Sequence, residues 1–185
     1  MVAREYHTGK LLRLWADELG PEPPFDIGAG SLFVAYYVSA EMGCFLSLNW
    51  QKPKRILDLY TEFLNLTNGV STDKSQIAAL AHFGLDSIRV QEKDEMRKLA
   101  LRGGEYSEEE RVALLDYCQS DVDSLFRLLP KLLPTIEYLP RAALRGRYMA
   151  AVAKMEFEGV PIDVELWGKV CRNWETIEDT LIEEI

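Results

Sequence analysis

The chain has 185 residues and a net charge of −9, from 21 basic and 30 acidic side chains. Hydrophobic residues make up 48% and charged residues 28%, a balance that excludes a mainly disordered protein. No apolar run reaches the ~18–20 residues that a membrane span needs, so we expect a soluble, cytoplasmic protein without a membrane partner. The negative charge argues against a protein that coats nucleic acid by bulk electrostatics. It leaves open an enzyme that meets nucleic acid through bound divalent cations.

The first 70 residues alternate between strand and helix patterns. This alternation predicts an α/β fold in which helices flank a small mixed sheet. The predicted elements are, in chain order, a hairpin of Val2–Tyr6 and Leu11–Trp15 around a turn at His7–Lys10, a loop at 20–30, a buried strand at 32–38, a helix at 40–48 capped by Ser39, a strand at 55–59, and a helix at 60–66 that ends at Asn68-Gly69.

From residue 72 onward the pattern is helical. The predicted helices are Ser75–Phe83, Glu92–Arg102, a long helix from the capping signature Ser107-Glu108-Glu109-Glu110 to Leu129, 141–158 and 163–185. The long helix has a predicted inner stripe of Val112, Leu115, Cys118, Val122, Leu125, Phe126 and Leu129. The predicted core contains Leu32, Val34, Tyr36, Ile56, Leu57, Leu80, Leu115, Leu125 and Phe126. A soft domain boundary is expected between Pro130 and Pro140, giving domains at 1–134 and 135–185.

A tyrosine and an aspartate stand four residues apart on the long helix, at Tyr117 and Asp121. Residues at this spacing share a helix face, so the phenol and the carboxylate project together. Such an aspartate can bind Mg²⁺ or Mn²⁺, and the phenol can hydrogen-bond a water that attacks a phosphodiester. Taken alone the spacing is common, and a core tyrosine beside a solvated aspartate is then the simpler explanation. Asp116 and Asp123 are expected on the solvated face.

Two further carboxylates follow or precede helix starts. Glu41 lies in the first turn of the helix after the first buried strand, where it can either join a metal site or only complement the helix dipole. Asp58 ends the next strand, and capping of the following helix is its expected role.

The residues around these positions resemble one family. Tyr117-x-x-x-Asp121 followed by Val122-Asp123-Ser124-Leu125 resembles the third motif of 3′–5′ proofreading exonucleases with a four-carboxylate-plus-tyrosine site. The segment Met149–Asp163, with Met155-Glu156, Gly159-Val160 and Ile162-Asp163, is similar to the stretch that joins exonuclease and thumb in family A (DNA polymerase I-like) polymerases. The segment from Asp58 to Gly69 also resembles a sequence found in phage-type family A polymerases.

The resemblance implies a ribonuclease H-like exonuclease domain at 1–134 and the junction to a polymerase thumb at 135–185. It implies hydrolysis of DNA 3′ ends by two Mg²⁺ or Mn²⁺ ions in the complete parent, with single-stranded DNA and the rest of a polymerase chain as partners. The implied catalytic residues are Tyr117, Asp121 and Glu41, and the implied metal ligands are Asp121 and Glu41.

One family motif is missing. The first motif, an Asp-x-Glu on the first strand, does not occur before Glu41, and Glu41 itself stands where the family normally has Asp. We therefore expect the first strand to lie upstream of residue 1. Two other interpretations stay open: a degenerate, non-catalytic exonuclease fold that serves as a scaffold or DNA-path wall, and a helical adaptor unrelated to nucleic acid.

Overall fold

A computed structural model describes residues 1–68, 70, 73–86 and 90–184. The chain forms two compact units, Met1–Lys154 and Met155–Ile185. The first unit combines short strands with helices, which confirms the α/β class, and the second is helical. Among the described residues, no helix is both long enough and apolar enough to cross a membrane.

The chain begins with the predicted β-hairpin. Strands β1 (Val2–Arg4) and β2 (Leu11–Arg13) pair in antiparallel register. Gly9 has a φ of +71°, a left-handed conformation that glycine adopts without a steric cost, and it closes the turn. The hairpin packs against a long helix, α5 (Glu108–Leu132).

A second, parallel strand pair lies at the centre of the first unit. Strand β3 (Phe33–Ala35) pairs with β4 (Ile56–Asp58), and helix α1 (Val38–Ser47) connects them. The prediction of one mixed sheet differs from what the structure shows, because the described strands form two separate pairs. The hairpin packs on α5 and does not extend the parallel pair.

Asp58 caps helix α2 (Leu59–Thr67), as predicted: its side chain accepts hydrogen bonds from the backbone amides of Tyr60 and Thr61. The prediction for α1 was wrong by two residues. The helix begins at Val38, after Tyr37 in a left-handed conformation, and Ser39 is buried inside the first turn. Asp58 also accepts from the amides of Tyr37 and Val38, so this one carboxylate serves the helix start that Ser39 was expected to cap.

Asn68 ends α2 in a left-handed conformation, while Gly69, predicted to act with it, lies outside the described residues. The remaining helices are α3 (Gln76–His82), α4 (Val90–Arg102), α5, α6 (Leu139–Glu158), α7 (Val164–Arg172) and α8 (Trp174–Glu183). The predicted helix over 163–185 is divided at Asn173 into α7 and α8. Helix α5 passes through Pro130 to Leu132, beyond the predicted end at Leu129.

Two clusters of buried side chains form the core of the first unit. One joins β3, α1 and the start of β4, and the other joins β4 and α2 to α3, α5 and α6. Ile56, Leu57 and Leu80 are buried as predicted, whereas Leu32 is 38% exposed. The other predicted core residues, Val34, Tyr36, Leu115, Leu125 and Phe126, are partly buried.

The buried stripe of α5 differs from the predicted one. It contains Leu114, Ser124, Leu128 and Leu132, whereas Val112 and Cys118 are exposed. The prediction followed the row with the most apolar residues, but the row that faces the core includes polar side chains. Tyr117 and Asp121, the two candidate site residues of this helix, belong to that row.

Candidate functional site

Helix α5 carries Tyr117 and Asp121 on its inward side. Leu114, Ser124 and Leu128 are buried, and the positions between them at intervals of three or four residues are 117 and 121. Residues at these intervals lie along one face of a helix. Both side chains are partly buried. The tyrosine and the aspartate are therefore held on the packed face of a long helix, which fixes their direction.

Tyr117 and Asp121 share a side-chain hydrogen bond. The phenol donates and the carboxylate accepts, as the i, i+4 spacing predicts. Burial raises the pKa of Tyr117, and the charge of Asp121 and this hydrogen bond raise it further, while Arg97 on α4 acts in the opposite direction. The phenol therefore keeps its proton at neutral pH and acts as a hydrogen-bond donor beside a carboxylate.

Glu41 lies in the first turn of α1 and interacts electrostatically with Asp121. Burial among protein atoms is the main cause of a raised Glu41 pKa; the Met1 amino group lowers it and the charge of Asp121 raises it. The residue is nevertheless exposed by surface area, so its surroundings are crowded but open to solvent. Two carboxylates that are 80 positions apart in the sequence and lie on different helices thus interact electrostatically.

Two thiols flank these carboxylates, and the sequence analysis missed them. Cys44 follows Glu41 by three residues on α1, and Cys118 precedes Asp121 by three on α5, so each shares a helix face with its carboxylate. Both cysteines are free and exposed. Although Cys118 is open to solvent by surface area, crowding by protein atoms is the main cause of a raised pKa of its thiol; the Met1 amino group lowers this pKa, and the negative charges of Asp121 and Glu41 raise it further. The matching i, i+3 spacings were the signal available in the sequence.

Arginines of the hairpin hold the outer side of α5. Arg4 forms an ion pair with Asp123 at 2.8 Å, and Arg13 forms one with Asp116 at 2.6 Å. Arg13 also donates to the Gln119 side chain at 2.7 Å. The two aspartates expected on a solvated face therefore orient α5 on the hairpin. Exposed pairs of this kind contribute about 1 kcal/mol or less each, so their effect is mainly on geometry.

The carboxylate of Asp58 is engaged in hydrogen bonds within the protein. Its carboxylate is fully buried and accepts from four backbone amides, those of Tyr37, Val38, Tyr60 and Thr61, and from the Thr61 hydroxyl. Burial raises the pKa of Asp58 and these hydrogen bonds oppose the rise. With its oxygens engaged in this way, Asp58 is a structural residue rather than a free metal ligand.

The donor set suits one divalent ion better than two. Carboxylate oxygens are the ligands that Mg²⁺ and Mn²⁺ prefer, and Glu41 and Asp121 repel each other unless a cation or a proton lies between them. In the part of the chain that the structure describes, no group of three or more His, Cys, Asp or Glu side chains is placed to hold a metal. Glu41 and Asp121 could at most supply carboxylate oxygens to one ion that keeps several waters.

Comparison of the chain with protein-family models, curated proteins and solved structures found no match.

Proposed function

We propose that this chain is the 3′–5′ exonuclease part of a family A DNA polymerase, with a ribonuclease H-like fold and a C-terminal segment that leads to the thumb. The observation that carries the proposal is the Tyr117–Asp121 hydrogen bond on α5 together with the electrostatic interaction between Asp121 and Glu41 on α1. A phenol donor beside paired carboxylates is suited to phosphodiester hydrolysis at the 3′ end of a single DNA strand.

In this proposal each residue has a distinct task. Asp121 and Glu41 would hold Mg²⁺ or Mn²⁺, which supplies positive charge at the phosphate and lowers the pKa of water. Tyr117, whose proton is donated to Asp121, would accept a hydrogen bond from the water that attacks phosphorus and so orient it. Its bond to Asp121 fixes the phenol before substrate arrives, so less ordering is needed during the reaction.

The number of carboxylates limits what the chain does alone. The family pattern has four, and Glu41 and Asp121 supply two. Mg²⁺ is commonly bound through one or two carboxylates plus substrate phosphate, so one weakly held ion is expected. Full activity would belong to a longer parent that contributes an Asp-x-Glu strand.

The second candidate is a non-catalytic exonuclease fold that forms a scaffold or a DNA-path wall in the polymerase. The observation that favours it is the same shortage of ligands, since the described residues contain no group of three metal-binding side chains. The two candidates differ in one measurable property, the binding of a divalent ion by Glu41 and Asp121.

Manganese binding to the 185-residue chain, measured by electron paramagnetic resonance, tests the site. We expect one weak site, and we expect Asp121→Asn and Glu41→Gln each to reduce its affinity by at least the roughly tenfold that loss of an outer-shell partner costs. Glu108→Gln, a loss of the same charge at an exposed position in the first turn of α5, is the control and should leave binding unchanged. Binding that is absent, or equal in all four proteins, would refute the assignment.

Nuclease activity separates the enzyme from the scaffold. The 185-residue chain is expected to degrade single-stranded DNA poorly. A version with an Asp-x-Glu strand placed ahead of Met1 should digest it faster by orders of magnitude, and Asp121→Ala should abolish that gain. An extended chain that binds Mn²⁺ but stays inactive would favour the scaffold.

A further inference from the structure

Two segments of this acidic protein contain no acidic residue. Between Glu41 and Asp58 the chain has three basic residues and no carboxylate, and between Glu137 and Glu156 it has four basic residues and none. The basic residues are Lys52, Lys54, Arg55, Arg141, Arg145, Arg147 and Lys154. A chain with a net charge of −9 thus concentrates a third of its 21 basic side chains in two places.

These two segments meet in the fold. Helix α6 crosses the start of β4 at Gly146, where a Cβ atom would lie 2.3 Å from the Ile56 carbonyl oxygen. Only glycine permits this approach of helix to strand. Arg147 follows Gly146, so this contact places it beside the segment that leads into β4 and contains Lys52 and Lys54.

A cavity of about 210 Å³ lies at this crossing. Its lining consists of Lys52, Pro53, Lys54, Ile56, Arg147 and Ala150. The apolar members are buried and form its floor, whereas the three cationic side chains are exposed. No carboxylate contributes to the lining.

The cations of the cavity differ from the neighbouring arginine. Arg145, two residues before Arg147, donates two hydrogen bonds to the buried Glu62 carboxylate at 2.7 and 2.5 Å and is neutralised by it. Lys52, Lys54 and Arg147 form no such ion pair with the residues that the structure describes. Their charge is therefore available to an anion.

We propose that this cavity binds a phosphate group of a nucleotide or of a nucleic-acid strand. Its volume lies below the ~300 Å³ at which pockets for larger ligands begin, so it suits the phosphate better than a whole nucleotide. A guanidinium and two ammonium groups offer the planar and point-charge donors that phosphate oxygens accept. The site uses neither Glu41 nor Asp121 and needs no metal, so it goes beyond the proposed function.

Amide NMR titrations in EDTA test this site with three probes: inorganic phosphate, deoxythymidine 5′-monophosphate and a short single-stranded oligothymidylate. We expect chemical-shift changes concentrated at 52–56 and 146–150. Shifts with the first two probes assign the site to a terminal phosphate, and shifts with the oligonucleotide alone assign it to a backbone phosphate. Absence of shifts in these segments with all three probes would overturn the proposal.

Salt dependence and matched variants identify the cations that bind. For the probe that binds, Lys54→Gln and Arg147→Gln should each weaken binding at least fivefold, while Lys98→Gln on α4 should not change it. If the oligonucleotide binds, the logarithm of its binding constant should fall with the logarithm of salt with a slope of about −0.7, since one phosphate contact to a single strand contributes about that much.

Binding that is equal in all of these variants would also overturn the proposal. Asp121→Asn should leave phosphate binding unchanged. The cavity and the proposed exonuclease site can therefore fail independently.

Discussion

Replacing Gly146 with alanine tests the closest contact between α6 and the strands. An added Cβ would lie 2.3 Å from the Ile56 carbonyl oxygen and 2.8 Å from its carbon, and both are backbone atoms that cannot rotate away. Restoring an ordinary separation of about 3.4 Å requires a movement of about 1 Å. Ala142 and Ala150, which lie on the same buried face of α6, would lose contact as the helix moves.

The size of the effect follows from two opposing contributions. Alanine in a helix interior is favoured over glycine by about 1 kcal/mol. Overpacking of a filled core costs up to about 3 kcal/mol. We therefore expect Gly146→Ala to reduce the free energy of unfolding by about 2 kcal/mol and the melting temperature by about 4–8 °C.

Gly43 provides the matched control. It lies inside α1, and a Cβ atom there would meet nothing within 4 Å. Gly43→Ala should therefore raise stability by about 1 kcal/mol, or the melting temperature by about 2–4 °C. Both variants can be compared with the unchanged chain by circular dichroism in heat and in guanidinium chloride. A Gly146→Ala protein that is stabilised as much as Gly43→Ala would show that α6 and β4 do not approach this closely.

Two further predictions concern charged side chains. Arg145→Met leaves the buried Glu62 carboxylate without its partner and should lower the free energy of unfolding in urea by about 3–5 kcal/mol. The control is Arg147→Met, the loss of an exposed arginine on the same helix, which should change that free energy by about 0.5 kcal/mol or less. Asp121→Asn should lower the pKa of Glu41, because it removes a negative charge that raises it. Carbon-13 NMR titration of the Glu41 carboxyl measures the shift, and an unchanged value would show that the two carboxylates do not interact.

Local signals in the sequence predicted local structure. The capping box of α5 is present as predicted: the Ser107 hydroxyl accepts from the Glu110 amide, and the Glu110 carboxylate accepts from the Ser107 amide. The end of the same helix was predicted wrongly. Pro130 removes one backbone hydrogen bond, but the burial of Leu128 and Leu132 on either side stabilises the last turn. Tertiary packing outweighs the proline there, and a sequence window does not contain that packing.

In the candidate site, too, local patterns predicted the contact within one helix but not the contacts between distant segments. The pairing of Tyr117 with Asp121 follows from a spacing of four residues on one helix. The contact of Arg13 with Asp116 joins residues 103 positions apart, and no local pattern indicates it. The interaction of Glu41 with Asp121 was predicted through the family resemblance, since spacing alone relates residues only within one helix.

The carboxylate of Asp58 has a consequence for how the first unit opens. It receives amide hydrogens from the start of α1, at Tyr37 and Val38, and from the start of α2, at Tyr60 and Thr61. If the first turn of α2 frays and Asp58 moves with it, the first amides of α1 lose their acceptor as well. Opening of α2 at its start should therefore also raise hydrogen exchange at the start of α1. Glu41 lies one turn into α1, so its position depends on the Asp58 carboxylate at the end of β4, a strand that follows Glu41 in the chain.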